Sequence, residues 1–508
     1  MLLYELFETP LRNSPDKEAI IFKGMSTTYR ELDDSMKRSA RALLSLGIKR
    51  GDRVTIFMEN RVELIELYFA CFRVGAVAVP LNHRYQPDEV VYATNHCEAE
   101  VLITDKDLFS RVEVINKSVP SIRGIYVVGD ESERREHSWN SVLKNPPEKV
   151  EWPLVDEGDP AMILYTSGST NKPKGVTHTH SSIFNTCLSR KITQGLKEED
   201  ISMAATAICH AGGSIGVTFP TLYSGGTVVL LERVDPLPFL KSLEQHRPTR
   251  TLLLPAQLLD ILEHPMAKDV DFSSLKEVEC GGDKISIELY ELFLKFAGFQ
   301  LNQIYGLTEC EGSCLNPPST SIKRGSIGNP RYGLEIRLIN DDGEDVPNGE
   351  VGEILIKGNS VMTGYWNDSE NTKRTFLDGW LKTGDLAKRD DEGYYYFTGR
   401  IKEIIIKGGS NIAPGEVEEV LDDHPDVEIS GVVGTPDPHF GELIHAFIEL
   451  KPGLDNPPSE KELRSYASNK LAAYKVPDRW TFVKALPRNE VGKIDRRNLH
   501  ALAVKLDH

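Results

Sequence analysis

The sequence predicts an α/β protein made of a large N-terminal part and a small C-terminal one. Three observations carry that expectation. The chain has 508 residues, more than a single hydrophobic core of roughly 250–300 residues normally serves. Its first 400 residues alternate short apolar runs with amphipathic stretches, the texture of helices laid against a sheet. Past Ser326 the texture changes to short strands punctuated by Asp-Gly, Asn-Gly and Glu-Gly turns, and a compact α/β segment follows Gly399-Arg400.

Each element has a local reason. Residues 33–46 set Met36, Ala40, Leu43 and Leu44 on one helical stripe, residues 53–58 read as a strand, and 63–74 as a second helix. Residues 76–80 and 101–104 continue the alternation. Residues 227–231 and 251–254 are unbroken apolar runs, as expected of strands covered on both faces. Residues 335–338, 352–357 and 394–398 are the short strands of the β-rich portion. Pro414 opens a helix whose first turns carry Glu416, Glu418 and Glu419, charges that complement the positive helix end, and His424-Pro425 closes it. These signals place a boundary near 400–402, giving units 1–400 and 401–508.

Charge and composition narrow the function. A net charge of −17 makes a nucleic-acid or anionic-membrane binder a poor fit, because phosphate backbones demand clustered Lys and Arg. The seven cysteines follow no disulfide framework, which reads as free thiols in a reducing compartment. Cys310 and Cys314 form the closest pair, but no second pair or His cluster completes a zinc set. The first residues carry Glu5 and Glu8 without a basic, then apolar, leader. The longest apolar stretch, 68–81, contains Arg73 and ends in proline, short of the roughly 20 residues a bilayer needs. The expected location is the cytoplasm.

One stretch concentrates chemistry. An apolar strand candidate, 161–164, runs into Tyr165-Thr166-Ser167-Gly168-Ser169-Thr170-Asn171-Lys172-Pro173-Lys174-Gly175-Val176. Glycines let backbone N–H groups turn toward an anion, hydroxyls add donors, and two lysines add charge. The loop lacks the Gly-Lys-Ser/Thr ending of a Walker A motif. The whole resembles the signature of the acyl-activating superfamily of acyl-CoA synthetases, luciferases and peptide-synthetase adenylation domains, aryl- and medium-chain acyl-CoA ligases above all. Further motifs follow in the family's order. They are Gly281-Gly282-Asp283, Tyr305-Gly306-Leu307-Thr308-Glu309, Gly364-Tyr365-Trp366, Trp380-Leu381-Lys382-Thr383-Gly384-Asp385, Gly399-Arg400-Ile401-Lys402-Glu403, and Pro487-Arg488-Asn489-Glu490-Val491-Gly492-Lys493.

The resemblance implies a large domain of two α/β sheet subdomains and a β-rich subdomain, with a mobile α+β C-terminal domain. It implies that ATP and a carboxylic acid give an acyl-adenylate and pyrophosphate, and that coenzyme A then takes the acyl group. Joining two anions makes charge the main barrier. Thr166, Ser167, Gly168, Ser169, Thr170 and Lys174 would hold the β- and γ-phosphates. Glu309 would hold Mg²⁺, a hard cation suited to carboxylate and phosphate oxygen. Gly281, Gly282, Asp283, Tyr305 and Gly306 would flank adenine, and Thr308 the α-phosphate. Asp385 would take the ribose hydroxyls, with Arg400 beside it. Lys493 would bridge the substrate carboxylate and the α-phosphate, and Lys402 would be the hinge that later withdraws it. Gly408 and Gly409 would let pantetheine pass, with Phe440, Lys475 and Arg479 further along the coenzyme A path.

Phe184, His210, Gly212, Gly213, Gly281 and Gly306 are the residues expected around the acyl group. The stretch 210–213 offers no Asp for an α-ammonium, and a buried ammonium without its carboxylate would cost several kcal/mol, which disfavours an amino acid. Ala211, Gly212, Gly213 and Gly216 leave side-chain volume free, favouring an aromatic or medium-chain acid over acetate. His210 either gates the pocket or packs. His178 and His180 are expected at the surface or packed near the ribose. Competing acceptors are an amine or a carrier protein, although no carrier segment precedes His508. A non-catalytic binder is the third reading, opposed by intact Lys493, Glu309 and Asp385. A homodimer is the further expectation.

Overall fold

Strand pairing groups the strands among the described residues into four sheets. The computed structural model describes residues 1–113, 115–129, 138–144, 146–166, 173–283, 285–317, 322–407, 410–437, 440–471, 473–489 and 492–506. A nine-stranded sheet runs in the order Asn329–Pro330, Cys310–Leu315, Asn302–Leu307, Glu277–Gly281, Arg250–Leu253, Ile201–Ala204, Thr227–Leu230, Glu18–Phe22 and Met25–Thr28. A seven-stranded sheet runs Gly364–Tyr365, Lys174–Thr179, Pro160–Thr166, Val77–Pro80, Arg53–Phe57, Val101–Asp105 and Gly124–Val128. The apolar runs predicted as doubly covered strands are indeed parallel and buried: Val228 pairs with Ser202, and Thr251 with Met203.

Helices from both sheets share one core. The helix Tyr29–Ser45 starts four residues before the predicted stripe because Thr28 and Glu31 cap each other, Glu31 N–H donating to Thr28 Oγ1 at 3.2 Å and Thr28 N–H to Glu31 Oε2 at 2.8 Å. Its buried face, Leu32, Met36, Ala40 and Leu43, lies in the same apolar cluster as the helix Val62–Val74. There Phe69 and Phe72 meet Phe219 edge-on, with centroids 5.5 and 6.0 Å apart. Gly75 ends that helix at φ +70°, a left-handed turn that glycine adopts without strain.

The β-rich portion is an antiparallel sheet of Leu334–Ile339, Gly352–Gly358, Trp380–Arg389 and Phe376–Leu377, with Tyr395–Arg400 also on Trp380–Arg389. The chain leaves it through the short turn Ile401–Glu403 and enters a fourth sheet. That sheet holds Ser410–Ile412, Ile405–Lys407, Gly441–Leu450, Val427–Asp437 and Arg479–Val483, with the helices Pro414–Asp422, Glu460–Ser468 and Arg496–Leu506. Polar contacts link this last part to the rest, among them Ile494 N–H to Asp283 Oδ2 at 2.8 Å, Lys451 to Glu288 at 2.6 Å, and Lys388 to Glu419 at 3.2 Å. Among the described residues no helix is long and apolar enough to cross a membrane. All seven cysteines are buried free thiols.

Candidate active site

The strands on either side of the phosphate-loop candidate pair with each other. Pro160–Thr166 and Lys174–Thr179 run antiparallel with Thr166 opposite Lys174, so these two bound the segment between them. Ser167, Gly168, Ser169, Thr170 and Lys172 lie outside the described residues. Gly175 is required by packing, since a Cβ there would stand 2.9 Å from Ile163 Cγ2. Its carbonyl accepts from Trp366 N–H at 2.7 Å, which draws the next motif alongside. The ammonium of Lys174 consequently lies 4.7 Å from the centre of the Tyr365 ring.

A second hairpin, Asn302–Leu307 with Cys310–Leu315, carries the Tyr-Gly-x-Thr-Glu residues. Tyr305 donates to Asp385 Oδ2 at 2.7 Å, and Arg400 Nε reaches Asp385 Oδ1 at 3.0 Å. Burial first, then the Asp385 charge, pushes the Tyr305 phenol far up, so it stays a donor at any working pH. Tyr365 donates to Glu309 Oε1 at 2.8 Å, and Oε2 takes no hydrogen bond from the described residues. A cleft of about 270 Å³ opens there, lined by Leu307, Glu309, Tyr365 and Thr383 among others. A carboxylate held through one oxygen beside an open polar cleft fits a hard cation completed by phosphate oxygens. Thr308 is fixed through its carbonyl, 2.8 Å from His178 Nε2.

Lys493 arrives from the last part of the chain. Gly282 has φ +82°, and a Cβ on it would lie 3.6 Å from Lys493 Nζ. Burial, then Arg400, lowers the pKa of the Lys493 ammonium, while Asp283 and Asp385 oppose that shift. Lys493, Gly282, Asp283, Asp385, Arg400 and Tyr305 thus converge, although Lys493 and Tyr305 are 188 positions apart in the sequence.

The acyl side corrects part of the sequence reading. Residues Gly212–Thr218 form a π-helical turn, with Thr218 Oγ1 donating to Gly213 O at 2.8 Å. A Cβ on Gly213 would meet Ala207 O at 2.5 Å, and one on Gly216 would meet Glu311 Oε1 at 2.5 Å. These two glycines therefore permit close packing and do not leave pocket volume. Gly212 differs from them: it has room, the nearest atom to a Cβ being Leu252 Cδ2 at 3.8 Å. Gly281 and Gly306 likewise admit backbone, since a Cβ on the first would collide with Ile304 O and one on the second with Gly312 N. Phe184 packs edge-on against Tyr223 at 5.5 Å. Gly216→Ala should lower stability by about 1–3 kcal/mol, because Glu311 is clamped and cannot yield. Gly212→Ala should be mild in stability and alter the range of acids accepted; unfolding midpoints and the KM for acid check both.

Several side chains escaped the sequence reading. Arg190 is fully buried and forked onto Glu279 (2.9 and 2.7 Å) and Glu311 (3.1 and 2.6 Å), directly under the second hairpin. Burial pushes the Cys209 thiol up, but His210 and His83 outweigh it and bring it down to about 6. His178 and His180 are buried and packed, not at the surface: His178 Nδ1 is 3.2 Å from Ser182 Oγ, and His180 Nδ1 accepts from Leu3 N–H at 3.2 Å.

The residues expected along a coenzyme A path have local contacts. Lys475 pairs with Glu416 at 2.7 Å, Arg479 reaches Thr435 Oγ1 at 3.4 Å, and Phe440 is exposed. Gly408 and Gly409, and the side chain of Lys402, lie outside the described residues; the Lys402 backbone forms part of the turn Ile401–Glu403.

Residues 7–366 match the AMP-binding enzyme family, and 416–493 match the AMP-binding enzyme C-terminal domain. The chain is similar to feruloyl-CoA synthase of Amycolatopsis sp, 35% identical over 487 residues that cover 95% of each chain. It is also similar to long-chain-fatty-acid–CoA ligase of Bacillus subtilis (strain 168), 33% identical over 517 residues covering 96% of this chain and 91% of that one. The solved structure of ATP-bound MatB from Rhodopseudomonas palustris superimposes with a TM-score of 0.89 at 28% identity, covering 99% of both.

Proposed function

This chain belongs to the AMP-binding enzyme family, and from that premise we propose that it is an AMP-forming acyl-CoA synthetase. A substrate carboxylate oxygen attacks the α-phosphorus of ATP, the bond to the bridging oxygen breaks, and pyrophosphate leaves. The sulfur of coenzyme A then attacks the acyl carbonyl, the bond to AMP breaks, and the thiol proton passes to solvent. The convergence of Lys493 on the Asp385–Arg400–Tyr305 group is the observation that supports this reading most.

Each side chain has a task in that sequence. Lys493 neutralises the approaching carboxylate and the α-phosphate, the two charges whose repulsion opposes attack. Asp385, braced by Tyr305 and Arg400, presents acceptor oxygens to the ribose. Thr166, Lys174 and the loop 167–170 cradle the departing phosphates, and Glu309 would hold Mg²⁺, which supplies charge to the leaving pyrophosphate. Units 1–400 and 401–508 move about Lys402 between the two half-reactions. The acid is aromatic or medium-chain, supported by the room beside Gly212 and by the absence of an Asp at 210–213. A cytoplasmic location suits seven reduced thiols.

A pyrophosphate-release screen over aromatic, medium-chain and dicarboxylic acids, each with and without coenzyme A, tests the reading. Thioester formed only with ATP and coenzyme A is expected. Product that needs an added amine instead would replace coenzyme A as acceptor.

The proposed motion should respond to pH. Burial, then Glu288, pushes the Glu428 carboxyl up to about 7, with Glu449 and Glu263 adding to it and Lys451 opposing. Glu263 and Glu288 belong to the large unit, so separation relieves Glu428. The docked arrangement therefore favours the protonated form. It should weaken as pH rises from the ordinary carboxyl range to about 7 and stay level above that. Glu428→Gln should flatten this dependence in a fluorescence measurement of the distance between the two units.

A further inference from the structure

We infer that Asp283 is the latch that holds the small unit in its adenylate-forming position, acting on Lys493 through the backbone beside it. This inference rests on the proposed two-step reaction, and it gives Asp283 a task beyond flanking the nucleotide. Asp283 follows the strand Glu277–Gly281 and the left-handed Gly282, so its carboxylate projects from the end of the sheet toward the small unit. Its Oδ2 accepts from Ile494 N–H at 2.8 Å, across 211 positions of sequence.

The described residues on either side of Lys493 are tied to one another. Asn489 N–H donates to Lys493 O at 2.7 Å, Gly492 N–H to Asn489 O at 2.8 Å, and Lys493 N–H to Asn489 Oδ1 at 3.0 Å. Asp495 N–H closes back onto Pro487 O at 2.8 Å. Just beyond, Arg496 is fastened within the small unit to Glu418 at 2.6 Å and to Glu403 at 3.1 Å. Ile494 directly follows Lys493, so an anchor on its N–H fixes the backbone from which the Lys493 ammonium extends. The links of Lys451 to Glu288 and Lys388 to Glu419 join side chains away from the Lys493 loop and leave its register free.

Charge adds to geometry. The Lys493 ammonium has to be positive to bridge two anions, and burial and Arg400 work against that. Asp283 stands on the opposing side with Asp385. When the small unit rotates, Ile494 leaves Asp283 and Lys493 leaves its counter-charge together. The same carboxylate thus favours the first half-reaction and has no part in the second. Asp283 is a positioning residue, and the two half-reactions separate it from a nucleotide contact, whose loss would weaken adenylate binding in both.

The test compares Asp283→Ala and Asp283→Asn with the unaltered enzyme in two assays. These are acid-dependent exchange of labelled pyrophosphate into ATP, and thioester formation from pre-made acyl-adenylate and coenzyme A. Asp283→Ala should lower exchange by about 10- to 100-fold, the size of a lost hydrogen bond to a charged group, and lower thioester formation by a much smaller factor. Asp283→Asn, which keeps an acceptor of the same shape, should recover part of the loss. A third readout needs no turnover. Probes on Lys295→Cys and Arg497→Cys, both at exposed positions, report the separation of the units, and Asp283→Ala should shift it without ligands. Equal loss in both assays, or unchanged exchange and unchanged separation, would overturn the inference. Absence of exchange in the unaltered enzyme with every acid would instead overturn the proposed function, and the separation measurement would still judge the latch.

Discussion

Lys493→Ala should lower adenylate formation by about 10²–10³-fold or more, the range measured when one preorganised charge-stabilising group is removed. It should leave thioester formation from pre-made adenylate untouched. Lys493 is half-buried at Gly282, and no other lysine of the small unit has a described contact there that could take over. Lys493→Arg should be a poor substitute, because a forked guanidinium does not fit the space of a compact ammonium against Gly282. The separation of half-reactions is the decisive measurement. A fall of the same size in both would mean that Lys493 holds the adenylate itself and would refute its assignment to the first step.

The second large effect is on stability. Arg190→Met should cost about 3–5 kcal/mol, since it removes the guanidinium that Glu279 and Glu311 share as ion-pair partner in the interior. Glu277 adds a third carboxylate nearby; burial, then Glu279, pushes it up to about 7, with Arg250 opposing. A drop in the unfolding midpoint of the large unit checks this. Replacing all three together, with Glu279→Leu and Glu311→Met, should recover much of the loss, because a buried ionic group exchanged whole for apolar side chains forfeits little. By contrast, Arg30→Ala at the exposed pair with Asp16 should leave stability nearly unchanged. Activity should fall with Arg190→Met as well, because Glu311 belongs to the hairpin that presents Tyr305, Thr308 and Glu309.

What could be read from the sequence followed from how local each signal is. Thr227–Leu230 and Arg250–Leu253 were legible as doubly covered strands, because burial on both faces requires an unbroken apolar run. The strand Glu277–Gly281 hides by the same logic. Its alternation of Glu277, Val278 and Glu279 looks half-solvated, yet every residue is buried, and the cations that make this tolerable come from Arg190 and Arg250 elsewhere in the chain. The phosphate loop and the segments bearing Glu309, Asp385 and Lys493 carry their chemistry in consecutive residues. The acyl side does not: whether a glycine vacates a pocket or admits a neighbour depends on the direction of its absent side chain. Gly212 and Gly213 are adjacent in sequence and opposite in this respect.

The strand Glu18–Phe22 pairs in parallel with Thr227–Leu230, so the nine-stranded sheet is sewn together from both ends of a long excursion. A ribosome adding about 5–20 residues each second would take on the order of 10–40 s to deliver the partner of Ile20 after Ile20 itself. Throughout that interval the one strand available to pair with Glu18–Phe22, among the described residues, is Met25–Thr28. The nascent chain is therefore expected to depend on the helper proteins that meet it at the ribosome exit, and slowing of translation between the two strands should raise its yield of aggregate.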